Sequence, residues 1–195
     1  MPIRSTISRS LSDTKAVLGL VAAIWAVSLV NLVLGGPLDG LGIRPRSISG
    51  AFGIVLAPFL HGSMQHLLYN TMPMLVLGGL LCLRGAQRFW ATTALVVVAG
   101  GTGVWLLGRG ASHIGASGLV FGYFGYLLAV GWWERKPLPV VIAVVTAVLY
   151  SGLIFGVLPL RSSVSWESHL FGLLAGVTIA YTHAQGGRRA AYRQS

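Results

Sequence analysis

The sequence predicts an all-α polytopic membrane protein with six transmembrane helices. Three observations carry that prediction. Hydrophobic residues make up 54% of the 195-residue chain and charged residues only 9%, where an average soluble domain carries roughly 25% charged residues. Mean hydropathy is correspondingly high, at +0.76. The apolar residues gather into six runs, each close to the roughly 20 residues needed to cross a bilayer. The 14 basic residues sit in short clusters between those runs, which is a topology signal rather than a nucleic-acid stripe. Nucleic acid is therefore not an expected partner despite the net charge of +10.

The first run, residues 16–34, follows a basic N-terminal segment, residues 1–15, as a signal peptide would. Its length and the absence of a small-x-small cleavage site after it favour a retained helix. A connection, residues 35–65, then carries Pro37, Arg44, Pro45 and Arg46 together with a short apolar stretch, residues 48–60. That stretch is too short to span comfortably, so it is expected to lie in the interface or dip part-way in. The remaining runs are residues 66–83, 89–107, 117–133, 138–158 and 167–183, and a basic tail follows over residues 185–195. The runs are too long for strands and lack period-two alternation. Residues 16–184 thus read as one membrane domain, with no seventh span and no extra soluble domain expected.

Orientation follows from the positive-inside rule. With the N-terminus inside, ten basic residues fall on inner segments and four, Arg44, Arg46, Arg109 and Arg161, on outer ones. An even number of spans then puts both termini in the cytoplasm, and a bacterial plasma membrane is the expected location. Cys82 is alone, so no intrachain disulfide exists and its place in an apolar run points to packing.

Topology and depth together bring polar residues to one level. Spans two, four and six all begin on the outer side, so His66 and Asn70, Ser117, and His169 fall within roughly 10 Å of the outer surface at 1.5 Å per residue. Polar groups inside a membrane are costly and mark functional candidates. A serine hydroxyl needs a nearby base to act as a nucleophile, and a neutral imidazole suits that task. Ser117 opens a helix, where free peptide N–H groups stabilise an oxyanion. His66 and Asn70, spaced i,i+4, share one helix face and can donate to the same oxygen. No acid lies within a span beside them, and Glu167 is expected to point elsewhere, so a Ser-His dyad is the sharper reading than a triad. Gly118 and Gly122 follow Ser117, and Gly172 and Gly176 follow His169. Such pairs let membrane helices approach closely.

These residues resemble the rhomboid family of intramembrane serine proteases. Gly115-Ala116-Ser117-Gly118 is similar to the family's G-x-S-G. The run from His61 through His66 to Asn70 is similar to its H-x-x-x-x-H-x-x-x-N, and His169 with Gly172 to its histidine helix. The resemblance covers about residues 40–183. It implies a rhomboid-like helical bundle, Ser117 as nucleophile and His169 as general base. It also implies an oxyanion site made of His66, Asn70 and the Ser117 peptide N–H, with His61 in support. Phe121 stands where many members carry a tyrosine against the catalytic histidine. The Trp-Arg pair of some relatives' first loop is not evident beside Arg44-Pro45-Arg46. By the same resemblance the substrates are single-pass membrane proteins, entering from the lipid and cut near small or helix-destabilising residues. No cofactor and no metal is needed.

Other readings stand beside this one: a rhomboid-like binder that does not cut, a hydrolase of small lipophilic esters, and a metal site from His61, His66 and His113. The last lacks the i,i+3 or i,i+4 histidine pair and the carboxylates of helical metal motifs. His113 is expected to face water near Ser117, and His183 to be interfacial. Trp25, Trp90, Trp105, Trp132 and Trp133 are expected to act as anchors or lipid-facing packing.

Overall fold

The computed structural model describes the backbone of residues 3–192 and the side chains of residues 14–187. Most of the expected basic segments 1–15 and 185–195 lies outside the described side chains. Seven α-helices are described: α1 (Ile3–Val33), α2 (Ile48–Leu56), α3 (Met64–Cys82), α4 (Ala86–Leu107), α5 (Ser117–Glu134), α6 (Pro137–Tyr150) and α7 (Trp166–Tyr192). Short 3-10 segments follow α1, α2 and α6, at Pro37–Leu41, Ala57–Phe59 and Ser151–Val157. Extended pairing among the described residues is limited to one antiparallel bridge, Ile43 with His113.

Local sequence explains the helix ends. Ser63 caps α3 by accepting the His66 N–H at 3.1 Å, and Ser47 caps α2 by accepting the Gly50 N–H. A serine oxygen there satisfies a donor that the first helical turn leaves free. Arg135 leaves α5 in the left-handed region at φ 52, and Pro137 starts α6 where its missing N–H costs nothing. The Arg46 guanidinium donates to the Leu106 and Gly108 carbonyls at the end of α4. The long connection after α1 is thereby tied to the C-terminal end of α4.

By length and composition, Thr14–Val33, Ala86–Leu107 and Pro137–Val157 are each apolar enough to cross a membrane. Ile48–Phe59 and Met64–Cys82 meet the same measure as a pair bent by 70°, and the short apolar stretch of the connection forms a helix that packs on α4. The measure alone yields fewer crossings than the six expected. α5 escapes it because it is rich in Gly, Tyr and Trp, residues of low hydropathy that serve packing against protein. Residues 119–127 of α5 are buried without interruption, and α7, α6, α3 and α4 all pack on it. A helix enclosed all round is the centre of its domain.

The periphery inverts the soluble pattern. On α6, Val141, Val144, Val148 and Leu149 are each more than half exposed. An apolar rim of this kind belongs in lipid, and the protein is an integral membrane protein. Inside, close backbone approach does the holding, because lipid tails offer no hydrophobic drive between helices. A Cβ on Gly172 would collide with the Gly118 carbonyl, and one on Gly176 with the Gly122 carbonyl. The two glycine pairs after Ser117 and His169 therefore face one another across α5 and α7.

Candidate active site

Ser117 is the first residue of α5, after Ala116 as N-cap. The Leu119 and Val120 N–H groups already bond to the Ala116 carbonyl. The Ser117 and Gly118 N–H groups are the pair at this helix start without a hydrogen-bond partner among the described residues, as the first turn of a helix dictates. Ser117, His169, His66 and Asn70 all line one polar cavity of about 600 Å³. α5, α7 and α3 each contribute to its wall, together with residues 109–114 and 162–165. The four candidates drawn from three separate runs of sequence are thus neighbours.

His169 is half-buried and held on two sides. Its Nδ1 lies 2.8 Å from the Gly156 carbonyl. A carbonyl only accepts, so Nδ1 carries the proton and Nε2 keeps its lone pair. The Phe121 ring stacks on the imidazole at 4.0 Å and 4°. Gly156 is needed there, because a Cβ would meet both Phe121 Cζ and His169 Nδ1. No hydrogen bond joins Ser117 to His169.

The oxyanion candidates differ in readiness. The His66 ring makes no hydrogen bond among the described residues and meets the His61 ring edge-on at 4.8 Å. Asn70 Nδ2 donates to the His66 carbonyl at 3.1 Å, which leaves its second N–H for the cavity. Gly115 runs close beneath both: at φ +113, its Cβ position falls 2.6 Å from the His66 ring and 3.7 Å from Asn70 Nδ2. Only glycine fits there on both counts.

Behind the cavity lies a chain of hydrogen bonds. The Ala116 N–H donates to His61 Nε2 at 3.3 Å, so His61 is protonated on Nδ1. That nitrogen lies 2.9 Å from Ser28 Oγ, and the Ser28 hydroxyl donates onward to the Phe59 carbonyl at 3.0 Å. Both Ser28 and His61 are fully buried. His61 lies in the break between α2 and α3, and burial first, then the His66 ring, push its pKa down to about 3. It is a neutral strut from α1 to the peptide just before Ser117. The resemblance implied a supporting role for His61; Ser28 carried no such signal, since a lone serine in an apolar run resembles any small packing residue.

His113 departs from expectation. It is buried rather than water-facing. Its Nε2 donates to the Arg109 carbonyl and its Nδ1 accepts from Ser165 Oγ at 2.6 Å, with Ser168 Oγ 2.7 Å from Ser165. The Ile43–His113 bridge takes its backbone. A histidine is buried here because every polar atom finds a partner. Glu167 does point away from the dyad candidates: Oε1 takes the Arg109 N–H at 3.3 Å and lies 3.5 Å from Arg109 Nε. Arg109 also donates to the Ser162 and Val164 carbonyls, closing residues 109–113 onto the start of α7.

Among the described residues no group of three or more His, Cys, Asp or Glu is arranged to hold a metal. His61 and His113 each spend both ring nitrogens on protein partners, which removes two of the three ligands of the metal reading. Trp25 and Trp105 are not plain lipid anchors, since their indole N–H groups bond to Thr71 Oγ1 and the Ser47 carbonyl. His183 contacts Tyr126 Oη at 3.3 Å at the opposite end of the bundle.

Fold and cavity define a helical membrane protein that encloses serine, histidine and asparagine side chains in one polar chamber. A family profile described as Rhomboid domain matches residues 49–186. The uncharacterized protein Rv1337 of Mycobacterium tuberculosis is 41% identical over 183 residues, covering 89% of this chain and 76% of that protein. The same figures hold for Mb1372 of Mycobacterium bovis. ML1171 of Mycobacterium leprae is 38% identical over 174 residues, covering 85% of this chain and 69% of its own length. The chain belongs to the rhomboid family.

Proposed function

We propose that this protein is an intramembrane serine endopeptidase that cuts other membrane proteins with a Ser117–His169 dyad. The observation that carries the proposal is the His169 ring. It is fixed by the Gly156 carbonyl and Phe121 with Nε2 unprotonated, in the cavity that Ser117 also lines. In this reading a locally unwound substrate segment enters the cavity. Ser117 Oγ attacks a carbonyl carbon while His169 Nε2 takes the hydroxyl proton. The oxygen that becomes negative is held by the Ser117 N–H, His66 and Asn70. Collapse of the tetrahedral intermediate breaks the C–N bond, and His169 returns the proton to the leaving amine. Water then attacks the acyl-enzyme, with His169 again as base, releasing the acid and restoring Ser117. Glu167 takes no part, being committed to Arg109.

The proposal includes six membrane crossings, by α1, α3, α4, α5, α6 with its 3-10 extension, and α7. Both termini face the cytoplasm and the cavity opens to the outer side of a bacterial plasma membrane. Substrates are single-pass membrane proteins, and no metal or other cofactor takes part. The test is cleavage of a fluorescently tagged single-pass protein by purified enzyme in detergent, beside Ser117→Ala and His169→Ala. Cleavage by wild type and by neither variant supports the dyad. Undiminished cleavage by Ser117→Ala rejects it.

A further inference from the structure

A second polar cavity, of about 360 Å³, lies at the other end of the bundle. It is separated from the first by the length of α5, about 25 Å at 1.5 Å per residue. Arg84 lines it from the α3–α4 turn, Arg88 from the first turn of α4, Glu134 from the end of α5, Lys136 from the α5–α6 turn, and His183 from α7. Glu134 is the one carboxylate and is already engaged by Arg84 Nη2. The Arg88 and Lys136 side chains have no hydrogen-bond or ion-pair partner among the described residues. Arg84 keeps unspent donor capacity, with Nε buried and unbonded. Three full cations against one neutralised carboxylate leave the cavity with two net positive charges. Trp133 completes the wall and meets Tyr181 edge-on at 5.3 Å, the kind of aromatic pair that sits at headgroup level.

The positive-inside bias accounts for basic residues at this end but not for the convergence of three of them, from the α3–α4 and α5–α6 connections, on one cavity. We propose that this cavity binds a phosphate group carrying net negative charge, with the headgroup of an acidic phospholipid as its membrane source. Guanidinium forks match phosphate oxygens, and basic pockets between membrane helices suit anionic headgroups. Arg88 and Lys136 hold the phosphate oxygens and the Arg84–Glu134 pair forms the inner wall. The proposal does not depend on the peptidase reading.

The test is thermal unfolding of the full chain in a zwitterionic detergent. It is titrated separately with dihexanoyl phosphatidylglycerol, dihexanoyl phosphatidylcholine and inorganic phosphate. Phosphatidylglycerol is expected to raise Tm with saturation, and the apparent Kd to weaken about tenfold or more in Arg88→Gln/Lys136→Gln. A charge-matched control, Lys15→Gln/Arg135→Gln, removes two cations that do not line the cavity and is expected to bind as wild type. An equal response to inorganic phosphate assigns the site to the free anion, and a response to phosphatidylglycerol alone assigns it to the lipid. An equal response to phosphatidylcholine, no response to either anion, or an unchanged Kd in the cavity variant overturns the proposal. Should the double variant lose its monodisperse elution, Lys136→Gln alone, at an exposed side chain, carries the same comparison.

Discussion

His61 Nε2 accepts the peptide N–H of Ala116 at 3.3 Å, one residue before Ser117. That bond joins the break between α2 and α3 to the start of α5, and Ser28 on α1 holds the other side of the ring. The peptide that presents the proposed nucleophile is thus fixed by a helix that contributes nothing else to the cavity.

Ser28→Ala is therefore expected to lower stability by about 1 kcal/mol and to lower kcat more than it raises KM. Ser28→Thr, which keeps the hydroxyl, is expected to recover part of the loss. Unfolding in a denaturing detergent and initial rates on a tagged substrate check both. A fall in KM-type binding alone would place Ser28 outside this role.

The same strut predicts an acid limit. His61 has a folded-state pKa of about 3 against an ordinary 6.5, so the folded state resists protonation more than the unfolded chain does. The stability tied to neutral His61 is full above 6.5 and declines as pH falls from 6.5 towards 3. His61→Gln removes the titrating ring and is expected to flatten that part of a stability-against-pH curve while lowering its plateau. An identical slope in wild type and variant would contradict the assignment.

Gly156→Ala is expected to cut kcat by at least about tenfold, since misplacing a reacting group by 1 Å can cost that much and more. The new methyl would press on Phe121 Cζ and His169 Nδ1 together. Phe121→Leu, which removes the ring stacked on His169, is expected to show a loss in the same direction. Steady-state rates decide the matter, with far-ultraviolet circular dichroism spectra to confirm that both variants keep their helices.

Gly172→Ala and Gly176→Ala set a Cβ against the Gly118 and Gly122 carbonyls. Overpacking of that kind costs about 1–3 kcal/mol. Gly186→Ala, which meets nothing within 4 Å, is expected to be neutral or slightly stabilising. Equal unfolding of all three would remove the close α5–α7 approach as a source of stability.

The sequence made the helices legible because bilayer thickness sets their length: three of the six expected runs match described helices within a few residues at both ends, and α1 and α7 cover theirs but run on, α1 starting 13 residues earlier and α7 ending nine later. The sixth, residues 138–158, breaks into α6 and a 3-10 segment, and the break puts the Gly156 carbonyl on His169. That Ser117, His169, His66 and Asn70 share one cavity was legible because polar side chains at one depth are rare. Ser28 and the Gly156 carbonyl were not, because a serine in an apolar run and a backbone oxygen leave no mark in composition. His113 was misjudged as water-facing for a related reason. Its burial rests on Ser165, Arg109 and Ile43, which are far apart in sequence and meet only once the start of α7 returns to the end of the bundle where α5 begins.

The central claim is that His169 activates Ser117. The most direct measurement is covalent labelling of the purified protein by a fluorophosphonate, mapped by mass spectrometry, because it needs no knowledge of the substrate. The account predicts one adduct, on Ser117, with labelling slowed by about 100-fold or more in His169→Ala. An adduct on another serine, or equal labelling rates with and without the His169 imidazole, would contradict it.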